Sequence, residues 1–403
     1  MKPDFLRSVS PCKAIGFAVS LTLFLGLAGC GGGGDGPANV SPPLGSTDPA
    51  NPDGPGHFGT AVFLKTVSLS DIKAALPAAA GIVPLYAVDA YKVTYTTTDS
   101  AGRSVLASGL TAIPRKAAGA SSPLLSYQHA TAKTDAEAPS NHATPDEPAV
   151  LFASMGYLVS ATDYVGYGAS RGVPHPFLLA APIAASVTDF MTASARWRKT
   201  AAIADNGQLF FTGYSEGAYA TIATLRSLTQ NKTSSTVLPV LTYVGSGPYD
   251  VQLTLNVMLA RVRAQNPVLG ALINPGFLKN LGANDRANVR NLLLLAVLGT
   301  QSDITFDPTF LDNFLNDDAV ATASVSSDYD WTPQSPIIFF AGKADTTVPY
   351  GNTDSIFQTM SNRGAAGFIQ RTDCTATPAE HLPCVPSFLA NDIAKMGALA
   401  KGL

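Results

Sequence analysis

The sequence predicts an α/β protein with a mostly parallel central sheet, helices on both faces, and a helical insertion before the last strands. From Pro123 onward, short apolar strands alternate with longer helical segments, the pattern of βαβ units in a parallel sheet. These strands are continuous apolar runs, which is typical of strands covered on both faces. After residue 250 the alternation stops, and several helical stretches precede the next strand.

The overall composition favours a well-packed globular chain. Of 403 residues, 46% are hydrophobic and only 14% are charged, a balance that argues against a disordered protein. The formal net charge is −3, and the basic residues are few and scattered. Because nucleic-acid binding normally needs clustered Lys and Arg, we expect no nucleic-acid partner.

Residues 1–29 have the features of a targeting segment. Basic residues at the start precede an apolar run, Ala14–Ala28, that is short for a membrane span. The run ends in Leu27-Ala28-Gly29-Cys30, which resembles the bacterial lipobox, where the cysteine is lipidated and becomes the mature N-terminus. An ordinary signal peptide cleaved at a small residue is the main alternative, and a non-cleaved membrane anchor is a more distant one.

The next segment, residues 30–59, is rich in Gly, Pro, Asp, Asn and Ser and buries too little apolar surface to fold. We expect it to be a flexible tether, with the folded part beginning near Thr60. Gly31 rather than Asp follows Cys30, which in lipoproteins of this type usually permits sorting to the outer membrane. The sequence thus predicts an exported lipoprotein, anchored to the outer membrane through Cys30 and facing the periplasm or the cell surface.

The four cysteines divide without a remainder. Cys12 leaves with the signal peptide and Cys30 takes the lipid, so Cys374 and Cys384 remain. Export places these two in an oxidising compartment, where we expect them to form a disulfide. A bridge across so short a loop contributes roughly 3 kcal/mol in the chain-entropy model. Two buried free thiols are the alternative.

The folded part opens with a predicted hairpin, formed by Tyr91–Thr98 and Ser104–Ile113. The elements that follow, in chain order, are strand Leu124–Tyr127, a helix ending near Met155, strand Tyr157–Ala161, helix Ala180–Arg198, strand Leu209–Thr212, helix Glu216–Leu228, strand Val240–Val244, helical stretches Leu253–Ala264 and Val289–Leu298, and strand Pro336–Phe340. We predict a core of residues 60–250 and 331–403. Residues 251–330 would form a helical cap or lid over the carboxyl edge of the sheet, where open α/β sheets bind ligands.

A candidate nucleophile lies between a strand and a helix. Gly213-Tyr214-Ser215-Glu216-Gly217 matches G-x-S-x-G directly after an apolar strand and at the start of a helix, the setting of a nucleophile elbow. The two glycines supply the small neighbours that so tight a turn needs. A glycine-rich turn without chemistry is the alternative. We expect Ser215 to be the nucleophile, raised to the edge of the sheet at a helix N-terminus.

A serine nucleophile needs a histidine base and an acid that orients the base. In enzymes with this elbow the chain order is nucleophile, acid, histidine. His381 is the only histidine after Ser215, since the others are His57, His129, His142 and His175. Asp345 follows the strand at 337–340 and is the favoured acid. Its competitors are Asp328, Asp330, Asp354 and, most seriously, Asp373.

An acyl-transfer site also needs two backbone N–H donors for the developing oxyanion. We expect one from Glu216, the residue after the nucleophile. The other would come from the loop after strand 124–127, from either Ala130 or Thr131. His129 in the same loop would shape it rather than transfer protons. His129 and His142 lack the neighbouring ligands of a zinc site, and we expect no metal.

Four motifs together resemble the secretory lipase family of α/β-hydrolases: Tyr127-Gln128-His129-Ala130-Thr131, Asp163-Tyr164-Val165-Gly166-Tyr167-Gly168, His175-Pro176-Phe177 and Gly213-Tyr214-Ser215-Glu216-Gly217-Ala218-Tyr219. The similarity extends from about residue 60 to the C-terminus. It implies the α/β-hydrolase fold, a carboxylic ester hydrolase with a Ser-Asp-His triad, a helical cap and no cofactor. Two positions depart from the pattern, because Ala130 and Ala218 stand where related sequences often have Gly.

The leading functional hypothesis is therefore an esterase or lipase that acts on an acyl ester, as a small molecule or a lipid, through an acyl-enzyme on Ser215. A serine peptidase of the same fold is one alternative, and a catalytically silent surface-binding lipoprotein is another. The apolar cap segment Leu292–Leu298 is a candidate lining of an acyl pocket, although core packing explains most of its leucines.

Overall fold

A single mixed sheet organises the chain, whose computed structural model describes residues 54–76, 81–233, 236–265, 274–298 and 302–403. The predicted signal peptide, Cys30 and the tether up to residue 53 lie outside these residues. Within them the strands are β1 (Phe58–Val67), β2 (Val88–Thr98), β3 (Ser104–Pro114), β4 (Ser122–Gln128), β5 (Leu158–Thr162), β6 (Asp205–Tyr214), β7 (Leu241–Gly245), β8 (Ile337–Ala341) and β9 (Ile369–Asp373).

The sheet has the strand order β1-β2-β3-β5-β4-β6-β7-β8-β9. Strands β1, β2 and β3 pair antiparallel, β3 also meets β5 antiparallel, and every pair from β5 to β9 is parallel. The predicted mostly parallel sheet and the hairpin of β2 and β3 are thus confirmed. Two strands escaped the prediction, namely β1 at one edge and β9 at the other.

Helices cover both faces of the sheet, as predicted. They are α1 (Leu69–Ala75), α2 (Pro148–Ser154), α3 (Ala180–Thr200), α4 (Glu216–Gln230), α5 (Val251–Gln265), α6 (Ala283–Leu298), α7 (Thr309–Leu315), α8 (Ala319–Val325), α9 (Gly351–Met360) and α10 (Val385–Gly397). In the described part of the chain, none of them combines the length and apolar character needed to cross a bilayer.

The strand alternation explains how one sheet supports two cores. In β6, Phe210 packs with α2 and α10 on one face, whereas Phe211 packs with α4 and α9 on the other. Both rings are fully buried, and burial of a side chain of this size contributes roughly 1.5–3 kcal/mol. Strands β7 and β8 are buried along their whole length, as continuous apolar strands should be.

A third apolar cluster lies where the helices between β7 and β8 meet the core. Leu255 of α5 and Leu293 of α6 pack in it with Tyr219, which lies one turn beyond Ser215. Leu292 and Leu294 contact the same cluster, whereas Leu295 is 45% exposed, so core packing accounts for Leu292, Leu293 and Leu294 but not for Leu295. Between β7 and β8 the described residues are helical apart from loops and an isolated bridge of His175 to Phe306.

Candidate active site

Ser215 occupies the sharp turn that joins β6 to α4. Its backbone angles, φ 58° and ψ −122°, are strained for a non-glycine residue and cost on the order of 1–3 kcal/mol. The turn is held because the Ser215 N–H donates to the carbonyl of Gly245 in β7, at 2.8 Å. A Cβ atom on Gly213 would lie 2.2 Å from the Gly217 carbonyl oxygen, and one on Gly217 would lie 2.0 Å from that of Gln128. Both glycines are therefore required by close backbone approach.

The structure brings Ser215, His381 and Asp345 into one hydrogen-bonded chain. The Ser215 Oγ lies 2.9 Å from His381 Nε2, and His381 Nδ1 lies 2.6 Å from Asp345 Oδ2. The imidazole and carboxylate are almost fully buried, with 9% and 1% of their side chains exposed. Since Nδ1–H donates to Asp345, the lone pair of Nε2 faces the serine hydroxyl, as a base for Ser215 requires.

Asp345 is fixed by more than the histidine. Its second oxygen, Oδ1, accepts from the backbone N–H groups of Thr347 and Val348, at 2.8 and 2.9 Å. The residue lies in the turn after β8, at the carboxyl edge of the sheet. With both oxygens occupied in this way, the carboxylate has one orientation, and that orientation aims Oδ2 at the imidazole.

The four competing aspartates are engaged elsewhere. Asp373, the most serious rival, accepts from Tyr350 Oη and pairs with Lys343 Nζ at 2.7 Å. The remaining three bind arginines, as Asp328 with Arg226, Asp330 with Arg363 and Asp354 with Arg371. Proximity to a histidine therefore distinguishes Asp345 from its rivals.

The loop that carries His381 is held on two sides. The expected disulfide is present, with Cys374 directly after β9, Cys384 directly before α10, and their Cα atoms 5.8 Å apart. On the other side, the Tyr214 hydroxyl donates to the backbone carbonyl of His381 at 2.6 Å, and the two rings pack with centroids 5.1 Å apart. The residue before the nucleophile thus positions the base.

The predicted oxyanion donors lie on two neighbouring arms. One is the first turn of α4, where the N–H of Glu216 has no partner within the helix. The other is the loop of residues 129–132, which follows β4 and lies against that turn, since Gln128 and His129 carbonyls are the nearest atoms to Gly217. Ala130 has no positive φ, so the loop does not require glycine at this position. Ala130 and Thr131 both remain candidate donors.

His129 orders this second arm. Its Nδ1 lies 2.7 Å from the carbonyl oxygen of Ala130, and its ring packs on Tyr164 with centroids 4.2 Å apart. Burial lowers the pKa of His129, which favours the neutral imidazole. These contacts agree with a role in shaping the loop.

A second buried pair, formed by His175 and Glu216, is not predicted from the sequence. His175 Nε2 lies 2.6 Å from Glu216 Oε1, and neither side chain has more than 1% of its surface exposed. From sequence, His175 was only a histidine excluded by chain order, and Glu216 only a backbone donor. The sole sequence signal was the motif at residues 175–177. Among the described residues, no group of three or more His, Cys, Asp or Glu side chains is arranged to hold a metal ion.

Comparisons with known proteins add a fold. No protein-family model and no curated protein matches the chain. Among solved structures, a putative hydrolase from Legionella pneumophila has a TM-score of 0.68 at 20% identity, covering 85% of this chain and 97% of that one. The rice cell wall degrading esterase LipA from Xanthomonas oryzae has a TM-score of 0.67 at 22% identity, and the match covers 86% of this chain and 99% of that one. Candida antarctica lipase A in its closed state has a TM-score of 0.54 at 18% identity, and the match covers 87% of this chain and 82% of that one. The chain has the α/β-hydrolase fold.

Proposed function

We propose that this chain is an exported serine hydrolase that cleaves carboxylic esters, an esterase or lipase of the secretory lipase type. The observation that carries the proposal is the hydrogen-bonded chain from Ser215 through His381 to Asp345, at the carboxyl edge of an α/β-hydrolase sheet. The names of two similar structures, an esterase and a lipase, favour an ester over an amide substrate.

The geometry supports an acyl-enzyme mechanism. His381 Nε2 takes the proton of Ser215 as Oγ attacks the ester carbonyl carbon, and Asp345 stabilises the resulting imidazolium. The oxyanion of the tetrahedral intermediate accepts from the N–H of Glu216 and from one N–H of the loop at 129–132. His381 then returns the proton to the leaving alcohol. In the second half of the cycle, His381 activates a water that hydrolyses the acyl-enzyme.

The test is hydrolysis of p-nitrophenyl esters, from acetyl to palmitoyl, by the protein without its predicted signal peptide. Ser215→Ala should lower kcat by about 10⁴-fold or more, because the nucleophile is removed. Ser227→Ala makes the same change three turns along α4, away from the site, and should leave kcat unchanged. The chain-length profile then separates an esterase from a lipase.

Matched amide substrates separate the ester hydrolase from the peptidase alternative. Efficient hydrolysis of the amides alongside the esters would favour a peptidase, whereas amides left intact while the esters are cleaved would favour the ester hydrolase. A wild-type protein inert on both series would leave the silent binding protein as the better hypothesis, and the proposed function would fail.

We also propose that Cys30 carries a lipid anchor in the outer membrane, that the segment between Cys30 and β1 tethers the domain, and that residues 251–330 act as a cap. The disulfide between Cys374 and Cys384 supports an oxidising compartment. In a bacterial host, wild-type protein should incorporate labelled palmitate and fractionate with the outer membrane. Cys30→Ala should abolish both, and label retained by that variant would contradict the lipoprotein.

A further inference from the structure

A buried histidine and glutamate meet directly behind the nucleophile turn. The Glu216 carboxylate lies in the first turn of α4, immediately after Ser215, and touches His175 through Oε1 at 2.6 Å. On the other side of the imidazole, Nδ1 lies 2.8 Å from the backbone carbonyl of Val165. Glu216 Oε2 is buried, and no hydrogen-bond partner for it is found among the described residues. His175 is thus the principal partner of this carboxylate.

The contacts fix how many protons the pair holds. A backbone carbonyl can only accept, so the proton of Nδ1 is committed to Val165. The remaining contact, between Nε2 and Oε1, needs one proton, carried by either atom. The pair with one shared proton has no net charge, which is the state that burial of both groups favours.

The pair joins the two oxyanion arms. Glu216 belongs to the first arm through its own N–H. On the second arm, the Tyr164 hydroxyl donates to the carbonyl of His129 at 3.1 Å, and the Tyr167 hydroxyl donates to that of Ala132 at 2.7 Å. The rings of these tyrosines pack against His175, with centroids 5.7 and 5.0 Å away. A shift of His175 would therefore disturb both arms.

The same histidine is tied to the chain that returns from the helical insertion. The backbone N–H of His175 donates to the carbonyl of Thr305 at 2.7 Å, and the backbone N–H of Asp307 donates to the carbonyl of His175 at 2.8 Å. Between these two bonds, the Phe306 ring packs edge-on against the imidazole with centroids 5.3 Å apart. The segment at 305–307 and the oxyanion arms thus share one support.

We propose that His175 and Glu216 form a positioning pair, which holds the N–H of Glu216 in register with the loop at 129–132 and links both to the segment at 305–307. The proposal rests on the proposed function, because it assigns the support of that function's oxyanion hole. The pair makes no contact with the reacting atoms in this arrangement; it acts through the backbone of Glu216.

The test compares loss of the side chain with its conservative replacement. Glu216→Ala should lower kcat for a soluble p-nitrophenyl ester by roughly 10- to 100-fold with little change in KM, since a displaced oxyanion donor costs less than the 10²- to 10³-fold of a deleted one. Glu216→Gln should stay within about 5-fold of wild type, because the amide N–H can donate to Nε2 of a neutral His175.

A second readout separates positioning from mere structural support. Trifluoromethyl ketones add to the serine and place an oxyanion in the hole, so their inhibition constant should rise in Glu216→Ala by the same factor as kcat falls. The double variant with His175→Ala should be no worse than the poorer single variant, because the two residues act as a unit. The control is Asp146→Ala, which breaks a surface contact with His142 and should change neither quantity.

The outcomes are distinguishable. A wild-type enzyme without esterase activity would overturn the proposed function itself. With wild type active, a folded Glu216→Ala that keeps wild-type kcat and inhibitor affinity would overturn the positioning pair alone. If Glu216→Ala fails to fold, Glu216→Gln decides, since a loss above about 5-fold in that folded variant would also overturn it.

Discussion

Two buried histidine–carboxylate pairs adjoin Ser215, one through its side chain and the other through the next residue in the chain, and they differ in what the second ring nitrogen contacts. In both pairs, nitrogen and oxygen are 2.6 Å apart. His381 presents Nε2 to the serine hydroxyl, whereas the second nitrogen of His175 is committed to the Val165 carbonyl. The first pair can therefore accept a proton from the nucleophile, and the second cannot. Burial and a short contact alone do not identify a base.

The surroundings of the two pairs differ as well. His381 lies on a loop at 374–384 that is closed by a disulfide and abuts the end of β8 through Gly342, where a Cβ would lie 2.3 Å from the Ala379 carbonyl oxygen. His175 is enclosed by aromatic rings and by backbone bonds to residues 305–307. His381, the proposed base, is thus held by its loop, whereas His175, the proposed positioning residue, is held by ring packing and backbone hydrogen bonds.

The largest expected contrast comes from changing each carboxylate to its amide. Asp345→Asn should lower kcat on the order of 10⁴-fold, because the amide disfavours the imidazole tautomer that frees Nε2. Glu216→Gln should cost less than about 5-fold, since its partner need not change protonation during the reaction. Ester hydrolysis at saturating substrate measures both.

The matched control for that contrast is Asp373→Asn, which changes the rejected acid. Its partners are Lys343 and Tyr350 rather than the imidazole, so kcat should fall by less than about 3-fold. A larger loss in Asp373→Asn than in Asp345→Asn would reverse the assignment of the acid.

The two pairs also show what the sequence could and could not predict. Ser215, His381 and Asp345 follow from a strand–turn–helix pattern and a fixed chain order, both of which are local or sequential properties. The contact of His175 with Glu216 joins residues 41 positions apart, and nothing in the periodicity of either segment indicates it. It depends on the loop after β5, in which the Val165 carbonyl accepts from His175 while the other ring nitrogen contacts Glu216.

The missed strands have a different cause. β9 is exposed or half-buried at all positions except Ile369, so it gives no apolar run. β1 contains a short apolar run, Ala61–Leu64, but it lies mostly exposed at the sheet edge and outside the alternation of strands and helices that identifies the central strands. The central strands β7 and β8 were predicted within one residue because they are buried throughout. The sequence pattern therefore predicts the buried strands at the centre of the sheet and misses the exposed strands at its edges.

Removal of the disulfide should separate the supports of the two histidines. The variant Cys374→Ser/Cys384→Ser frees a loop that spans ten residues in sequence, and its free energy of unfolding should fall by about 2 to 3 kcal/mol. The kcat of this variant relative to that of wild type should fall as temperature rises, because His381 loses one of its two anchors while the packing of His175 is unchanged. Urea unfolding and kcat at two temperatures test this. An unchanged free energy of unfolding would contradict it.

Glu147 is a further buried carboxylate, and it has no histidine partner among the described residues. It therefore shows how the stability depends on pH when a buried carboxylate lacks such a partner. Burial raises the pKa of Glu147 from about 4.5 to about 8. Since the folded state holds this proton more tightly than the unfolded state, the stabilisation is complete below pH 4.5 and is lost as pH rises through 8. Glu147→Gln should remove that loss, leaving the variant more stable than wild type at pH 9 and similar to it near pH 5.

Urea unfolding at pH 5, 7 and 9 measures the effect, whose slope cannot exceed about 1.36 kcal/mol per pH unit. A wild-type protein whose stability falls no faster with pH than that of Glu147→Gln would show that this carboxylate is not neutral in the fold.

The smallest effect is expected on the second oxyanion arm, at Ala130. Ala130 has no positive φ, and its carbonyl accepts from His129, so the loop is built without the freedom of glycine. Ala130→Gly should therefore change kcat by less than about 3-fold and lower stability by roughly 0.4 to 1 kcal/mol, through the greater entropy of the unfolded chain. A large gain in kcat would mean that the loop at 129–132 must rearrange before it can donate to the oxyanion.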